Sequence, residues 1–138
     1  AIIWATGWRP YDASKVDYLH YELPDVIANV EMERLCNPAG PTAGKILRPS
    51  DGKEPESVAF VQCSGSRDVN HLPYCSGICC MYTAKHAMLF KHHVPDGRAY
   101  VCYIDIRSPG KDYEQFVRRA IARCESAIAK HPAAASAA

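Results

Sequence analysis

The sequence predicts an α/β fold built on a Rossmann-like parallel sheet, and three observations carry that prediction. Val58-Ala-Phe-Val61 is a short, continuous apolar run bounded by turn residues, as a buried strand requires. Tyr100-Val-Cys-Tyr-Ile104 is a second such run, ending at Asp105. Each run is followed by a segment with helical spacing of its apolar residues. Strand, helix, strand, helix, with apolar strands covered on both faces, is the pattern of βαβ units and a parallel sheet.

Taken in order, Ala1 to Thr6 reads as a buried strand that stops at Gly7, and Trp8-Arg-Pro-Tyr-Asp as a turn leaving the sheet. Ile27, Val30 and Leu35 fit a short helix over Val26 to Leu35, ended by Asn37-Pro38. Pro38, Pro41, Pro49 and Pro55, interspersed with Gly40, Gly44 and Gly52, make residues 39–56 an extended connection. A strand follows over Ser57 to Gln62, and Cys63-Ser-Gly-Ser-Arg-Asp leaves it as a loop. The next helix is expected to begin between Cys75 and Cys79 and run to about His93. Its inward face would be Ile78, Met81, Ala84, Met88 and Leu89, and Pro95-Asp-Gly97 would end it. Ala99 to Ile106 is the second apolar strand. Tyr113 to Cys124 is an amphipathic helix with Phe116, Val117, Ala120 and Ile121 inward and Arg118, Arg119 and Arg123 outward. Residues 125–138 read as frayed helix and a low-complexity tail. There is no internal repeat.

The 138 residues suffice for one modest domain, and 48% apolar with 22% charged residues is ordinary for a globular chain. A net charge of +1 gives no basis for a nucleic-acid or acidic-membrane partner. No apolar run is long enough to cross a bilayer and no signal-peptide pattern opens the chain, so a cytoplasmic location is expected. The abrupt apolar start without an initiator methionine, and the alanine-rich end, suggest a piece of a longer protein.

Seven cysteines are the most informative feature, and four of them fall between positions 63 and 80. An odd count in a chain without secretory signals points to metal or redox chemistry rather than a disulfide framework. Cys63 lies just past the carboxyl end of a strand, where open α/β sheets place ligands. Cys75, Cys79 and Cys80 lie at the start of the following helix, whose free N–H groups and dipole favour a negative group. Adjacent cysteines do not easily occupy two corners of one small ion, but they can reach two irons of a cubane. Arg67 and Lys85 are placed to add positive charge. Zinc on four thiolates, thiol redox chemistry and plain core cysteines are the alternatives that the spacing leaves open. Cys36, Cys102 and Cys124 read as structural.

Ala5-Thr6-Gly7 after an apolar run would let a backbone approach a dinucleotide closely. No G-x-G-x-x-G occurs, so the principal flavin-binding motif would lie upstream of Ala1. Asp105 occupies the place of an acidic ribose ligand, although it reads first as a strand-end turn residue. His86, His92 and His93 are expected on the surface. His71, four residues before Cys75, is a candidate neighbour of the cysteine site. The arginine run on the last helix reads as a solvated face.

Val61-Gln-Cys-Ser-Gly-Ser-Arg-Asp68, Pro73-Tyr-Cys-Ser-Gly-Ile-Cys-Cys-Met81 and Tyr103-Ile-Asp-Ile-Arg107 resemble the flavoprotein A subunit of heterodisulfide reductase. Ala5-Thr-Gly-Trp8 and Leu47 to Pro55 fit the same family, and the likeness covers about residues 1 to 123. The related A subunit of the quinone-interacting membrane-bound oxidoreductase complex shares these segments. The resemblance implies a thioredoxin-reductase-like flavoprotein fold binding FAD, with a 4Fe–4S cluster on Cys63, Cys75, Cys79 and Cys80. It makes residues 1–10 the end of an FAD-binding domain contacting flavin through Ala5, Thr6 and Gly7. Residues 11–56 are then a connection, and 57–124 a Rossmann-like βαβα domain carrying the cysteines. The function implied is electron relay between cluster and FAD within an oxidoreductase complex. Other iron–sulfur subunits, and ferredoxin or hydrogenase-type donors, are the implied partners. A zinc-stabilised docking module without redox activity is the rival reading.

Overall fold

The computed structural model describes residues 1–7 and 9–124, and the backbone of residues 128–130. Its centre is a sheet of three strands, β1 (Ser57–Val61), β2 (Arg98–Tyr103) and β3 (Ile128–Lys130), in the order β1-β2-β3. Both pairings are parallel: Ser57 faces Arg98 and Val61 faces Cys102, while Val101 faces Ile128. Three helices accompany it, α1 (Asn29–Cys36), α2 (Cys79–His93) and α3 (Tyr113–Arg123). The parallel α/β arrangement expected from the alternating pattern is present. The strand at 128–130 is an addition, since that segment reads in sequence as fraying helix. Residues 125–127 and 131–138 of the expected tail, and Trp8 of the expected turn, lie outside the described residues.

The opening segment is not a strand. Ala1 to Gly7 has no regular structure, and Ile2, Ile3 and Trp4 are 84%, 88% and 83% exposed. An apolar run becomes a strand only when a neighbour accepts its backbone hydrogen bonds. None of the three sheet strands pairs with it.

The core lies on the helical side of the sheet. Met32 of α1, Ile46 of the following connection, Ala87 and Phe90 of α2, Ala99 of β2 and Cys124 form one buried cluster, with Val58, Phe60 and Cys36 packed against it. Phe90 is fully buried, and a Cβ on Gly97 would come within 2.6 Å of its ring, so the turn after α2 admits only glycine there. The expected covering of both strand faces is not met along β1. Val58 and Phe60 turn towards the helices, while Val61 is 45% exposed on the other face. Residues 39–56 run as turns and extended chain, yet Ile46 from that stretch is 4% exposed.

α1 begins three residues later than expected and ends at Asn37, as the Asn-Pro pair dictates. The Glu31 carboxylate accepts the Ala28 N–H at 2.5 Å, satisfying a donor at its start. The buried stripe of α2 is Cys79, Cys80, Thr83, His86, Ala87 and Phe90, one position round from the expected face; Ile78 is 61% exposed. On α3 Val117 and Ala120 are buried, Phe116 is half-buried and Ile121 is exposed, with the arginines outward as expected. Among the described residues no helix is long and apolar enough to cross a membrane.

Candidate metal centre

Cys63 is the first residue beyond the β1–β2 ladder, whose last bond runs from the Gln62 N–H to the Cys102 carbonyl at 2.9 Å. Here the chain turns sharply: Cys63 has φ +60°, Gly65 +72° and Arg67 +57°. Two side-chain-bearing residues in the left-handed region within five positions are a costly arrangement of the kind found at functional sites. The turn is pinned by the Ser64 hydroxyl donating to the Val61 carbonyl (2.8 Å) and the Ser66 N–H donating to the Cys63 carbonyl (3.1 Å).

The chain then makes a closed excursion that returns Cys75 to the end of the strand. Leu72 N–H donates to Gly65 O, Asp68 N–H to Leu72 O and Arg67 N–H to Tyr74 O, each at 3.1 Å. The Ser66 hydroxyl adds a bond to the Tyr74 carbonyl at 2.8 Å. Eleven residues between Cys63 and Cys75 are therefore a self-bonded loop rather than slack chain. Tyr11 closes it from outside: its ring lies where a Cβ on Gly65 would sit, 2.7 Å away, and its hydroxyl shares a 2.7 Å hydrogen bond with His71 Nδ1. His71 thus braces the loop.

Cys75 lies in this loop and not on the helix, so it shares no helix face with Cys79. Its sulfur accepts the Gly77 N–H at 3.4 Å. Cys79 is the first residue of α2, and its sulfur accepts the Ser76 hydroxyl at 3.4 Å. Hydrogen bonding from the Cys80 thiol, Ser76 and the Cys79 and Cys80 amides outweighs burial and holds the Cys79 thiol far below its ordinary value. Helix α2 has no side-chain N-cap from Ile78. Cys80 is pushed strongly up, first by sharing its proton with Cys79 and then by burial. Its sulfur accepts the Arg107 N–H at 3.3 Å and lies 3.9 Å from the Asp105 carbonyl.

The four sulfurs share one electrostatic neighbourhood. Burial raises the Cys63 thiol, charge on Cys79 and Cys75 raises it further, and the Arg67 guanidinium offsets part of this. Tyr82, on the next position of α2 but one from Cys80, is pushed up to about 12 by burial and by the charges of Cys79, Cys80 and Cys63. Asp105 is held low by Arg107 and Arg67, and pairs with them at 3.1 Å and 2.6 Å. Cys75 also contributes to the electrostatic environment of Arg107. Asp105 is thus more than a turn residue: it fixes the two guanidiniums that flank Cys63 and Cys75. Sequence reasoning picks out Asp105 and Arg67 without linking them, and it assigns Arg107 no role.

Two expectations are corrected by these contacts. Lys85 does not serve the cysteines, because its ammonium binds Glu33 on α1 at 2.6 Å. His86 is not a surface residue; it is 1% exposed, and its Nε2 meets the same Glu33 carboxylate at 2.6 Å. A buried histidine one turn after Tyr82 and buried Thr83 marks α2's inward stripe as partly polar, which hides it from an apolar-periodicity reading. Cys102 and Cys36 are half-buried and Cys124 is buried; all three pack within the fold. Ala5, Thr6 and Gly7 lie in the exposed opening segment, Gly7 at φ +70° with open space where a Cβ would point. No cradle forms around them among the described residues.

Among the described residues, no group of three or more His, Cys, Asp or Glu side chains is drawn closely enough to hold a metal ion. The cysteines offer soft, thiol-only donors, with the Arg67 and Arg107 guanidiniums nearby and Cys79 at a helix start. That donor set suits a thiolate-bound, net-negative group.

No family model matches the chain. Among curated proteins it is 48% identical over 124 residues to the iron–sulfur A subunit 1 of the CoB–CoM heterodisulfide reductase of Methanopyrus kandleri, covering 86% of this chain and 18% of that protein. It is 51% identical over 121 residues to the iron–sulfur A subunit of the CoB–CoM heterodisulfide reductase of Methanocaldococcus jannaschii, with the same coverage of 86% and 18%. The A subunit of the H2/formate:CoB–CoM heterodisulfide,ferredoxin reductase of Methanococcus maripaludis is 50% identical over 121 residues, again covering 86% and 18%. The chain therefore spans less than a fifth of the length of these relatives. Over 86% of its residues the chain is homologous to one segment of proteins named as heterodisulfide reductase A subunits.

Proposed function

We propose that Cys63, Cys75, Cys79 and Cys80 ligate one 4Fe–4S cluster, and that this chain is the cluster-bearing segment of an electron-relaying subunit. The observation that carries the reading is that four thiols, from a strand end, a closed loop and a helix start, act on one another electrostatically. A cluster held there would supply one-electron storage and transfer at the edge of the sheet. The chain's own part is to hold and tune it. Cys63 and Cys75 are presented by strained and self-bonded backbone, while the α2 amides, Arg67 and Arg107 supply positive charge.

The relatives named as iron–sulfur subunits support the cluster, and ferredoxin in another relative's name supports a ferredoxin-type partner. FAD is proposed as the exchange partner in the longer protein, in a thioredoxin-reductase-like arrangement held mainly by residues outside this chain. Ala5, Thr6 and Gly7 are proposed contacts, and they do not form a flavin site by themselves. A cytoplasmic location and an isolated segment inactive in disulfide reduction complete the proposal.

Anaerobic purification with iron, acid-labile sulfide and zinc analysis tests it. About four irons and four sulfides per chain are expected, the content of one such cluster. A colourless protein with one zinc and no sulfide refutes the cluster and leaves a zinc-stabilised docking module.

A further inference from the structure

Gln62 is 7% exposed, and neither its side-chain oxygen nor its side-chain nitrogen has a hydrogen-bond partner. Among the described residues these are the only buried side-chain polar atoms left without one. A buried amide without a partner is rare in a native fold and calls for a group not supplied by the chain itself.

Its place in the fold says which group. Along β1, Val58 and Phe60 face the helical core, and the strand alternation puts Gln62 on that same side. Helix α2 runs back along the sheet and packs against β2, because the chain leaves β1 at Cys63 and re-enters the sheet at Arg98, opposite Ser57. Phe90 and Ala87, late on α2, cluster with Ala99 and Val58 near the strand starts. The first turns of α2, with buried Cys79, Cys80 and Thr83, therefore lie towards the carboxyl end of the sheet, where Cys79 and Cys80 act electrostatically on Cys63. Gln62 ends the inward row of β1 at that same end of the sheet, and Cys63 is its chain neighbour.

We infer that the Gln62 amide donates a hydrogen bond from Nε2 to a sulfur of the group held by the four cysteines, and so sets its reduction potential. The inference rests on the cluster reading above. A donor to sulfur stabilises the more negative, reduced form, so it raises the potential. Methionine has nearly the volume of glutamine and no donor, which makes Gln62→Met the informative change.

The experiment uses full-length protein purified without oxygen. Iron and sulfide contents of wild type and Gln62→Met are compared, followed by redox titration monitored by electron paramagnetic resonance. With equal cluster content, the variant's ratio of reduced to oxidised cluster at the wild-type midpoint should be about tenfold lower, which for one electron is about 59 mV. Resonance Raman bands of the iron–sulfur stretches should shift with it. Equal content with an unmoved midpoint and unmoved bands overturns the inference. Should Gln62→Met load no cluster, Gln62→Glu is read in its place. Wild type carrying 15N in its glutamine amides supplies an independent reading. A nitrogen coupling on the reduced cluster supports the bond, and none overturns it. Wild type free of iron and sulfide removes the cluster reading, an outcome distinct from a loaded protein whose potential does not move.

Discussion

Gly65→Ala should damage the cysteine site without touching a cysteine. Gly65 is at φ +72°, and an added Cβ would meet the Tyr11 ring at 2.7 Å and 2.9 Å. The left-handed backbone alone costs an alanine about 1–2 kcal/mol. Tyr11 must also move, which breaks its 2.7 Å bond to His71. Losing that bond adds about 0.5–1.5 kcal/mol. The expected total is about 1.5–3.5 kcal/mol, a large fraction of the stability of a small domain. Gly52→Ala is the control, since Gly52 has φ +68° and nothing within 4 Å of a Cβ. It should lose only the backbone part, about 1–2 kcal/mol. Denaturant unfolding of the two variants under one buffer gives the difference directly. Because the Leu72 N–H bonds the Gly65 carbonyl, the displaced loop should also carry Cys75 away and lower iron content. Equal losses from Gly65→Ala and Gly52→Ala, with iron content unchanged in both, would refute the claim that Tyr11 and the loop brace the cysteines.

Other outcomes follow from the same geometry. Cys79→Ser and Cys80→Ser should each abolish the visible absorption of the cluster while Cys102→Ser keeps it; equal loss from all three contradicts the ligand assignment. Phe90→Ala empties the centre of the core and should cost about 3–5 kcal/mol by denaturant unfolding. Burial holds the His86 pKa below its usual 6.5 despite the opposing pull of Glu33 and with Lys85 and Tyr82 nearby. The unfolded chain therefore binds the extra proton first, and stability should fall as pH drops below about 6.5. Glu33 acts in the same direction at lower pH: its pKa is lowered by Lys85 and His86, so its contribution is present above the usual 4.5 and lost below it. Unfolding at about pH 7.5 and about pH 5.5, either side of the ordinary histidine value, measures the first effect. His86→Gln should flatten that slope; an unchanged slope means another group titrates there.

The local pattern of the chain is what the sequence determined well. Two continuous apolar runs became β1 and β2, the Asn37-Pro38 pair stopped α1, and Pro95-Asp-Gly97 stopped α2. These outcomes depend on neighbours in the chain, whose φ/ψ restrictions and side-chain periods are readable from residue types. The cysteine spacing was equally legible as a constellation. Partners distant in sequence were not. Whether Ala1-Ile-Ile-Trp-Ala-Thr6 forms a strand depends on a pairing strand and not on its own residues, and among the described residues it has none. His86 and Lys85 look like surface residues until Glu33, more than fifty positions away, is brought against both. Arg67, Asp105 and Arg107 join only because the loop after β1 and the end of β2 lie side by side at one sheet edge. The four cysteines themselves show the division. Their identities and order are written in the sequence, but Cys75 sits on a self-bonded loop and not on the face of a helix. That placement comes from backbone hydrogen bonds between residues well separated along the loop, including Leu72 to Gly65 and Arg67 to Tyr74, which no side-chain pattern encodes.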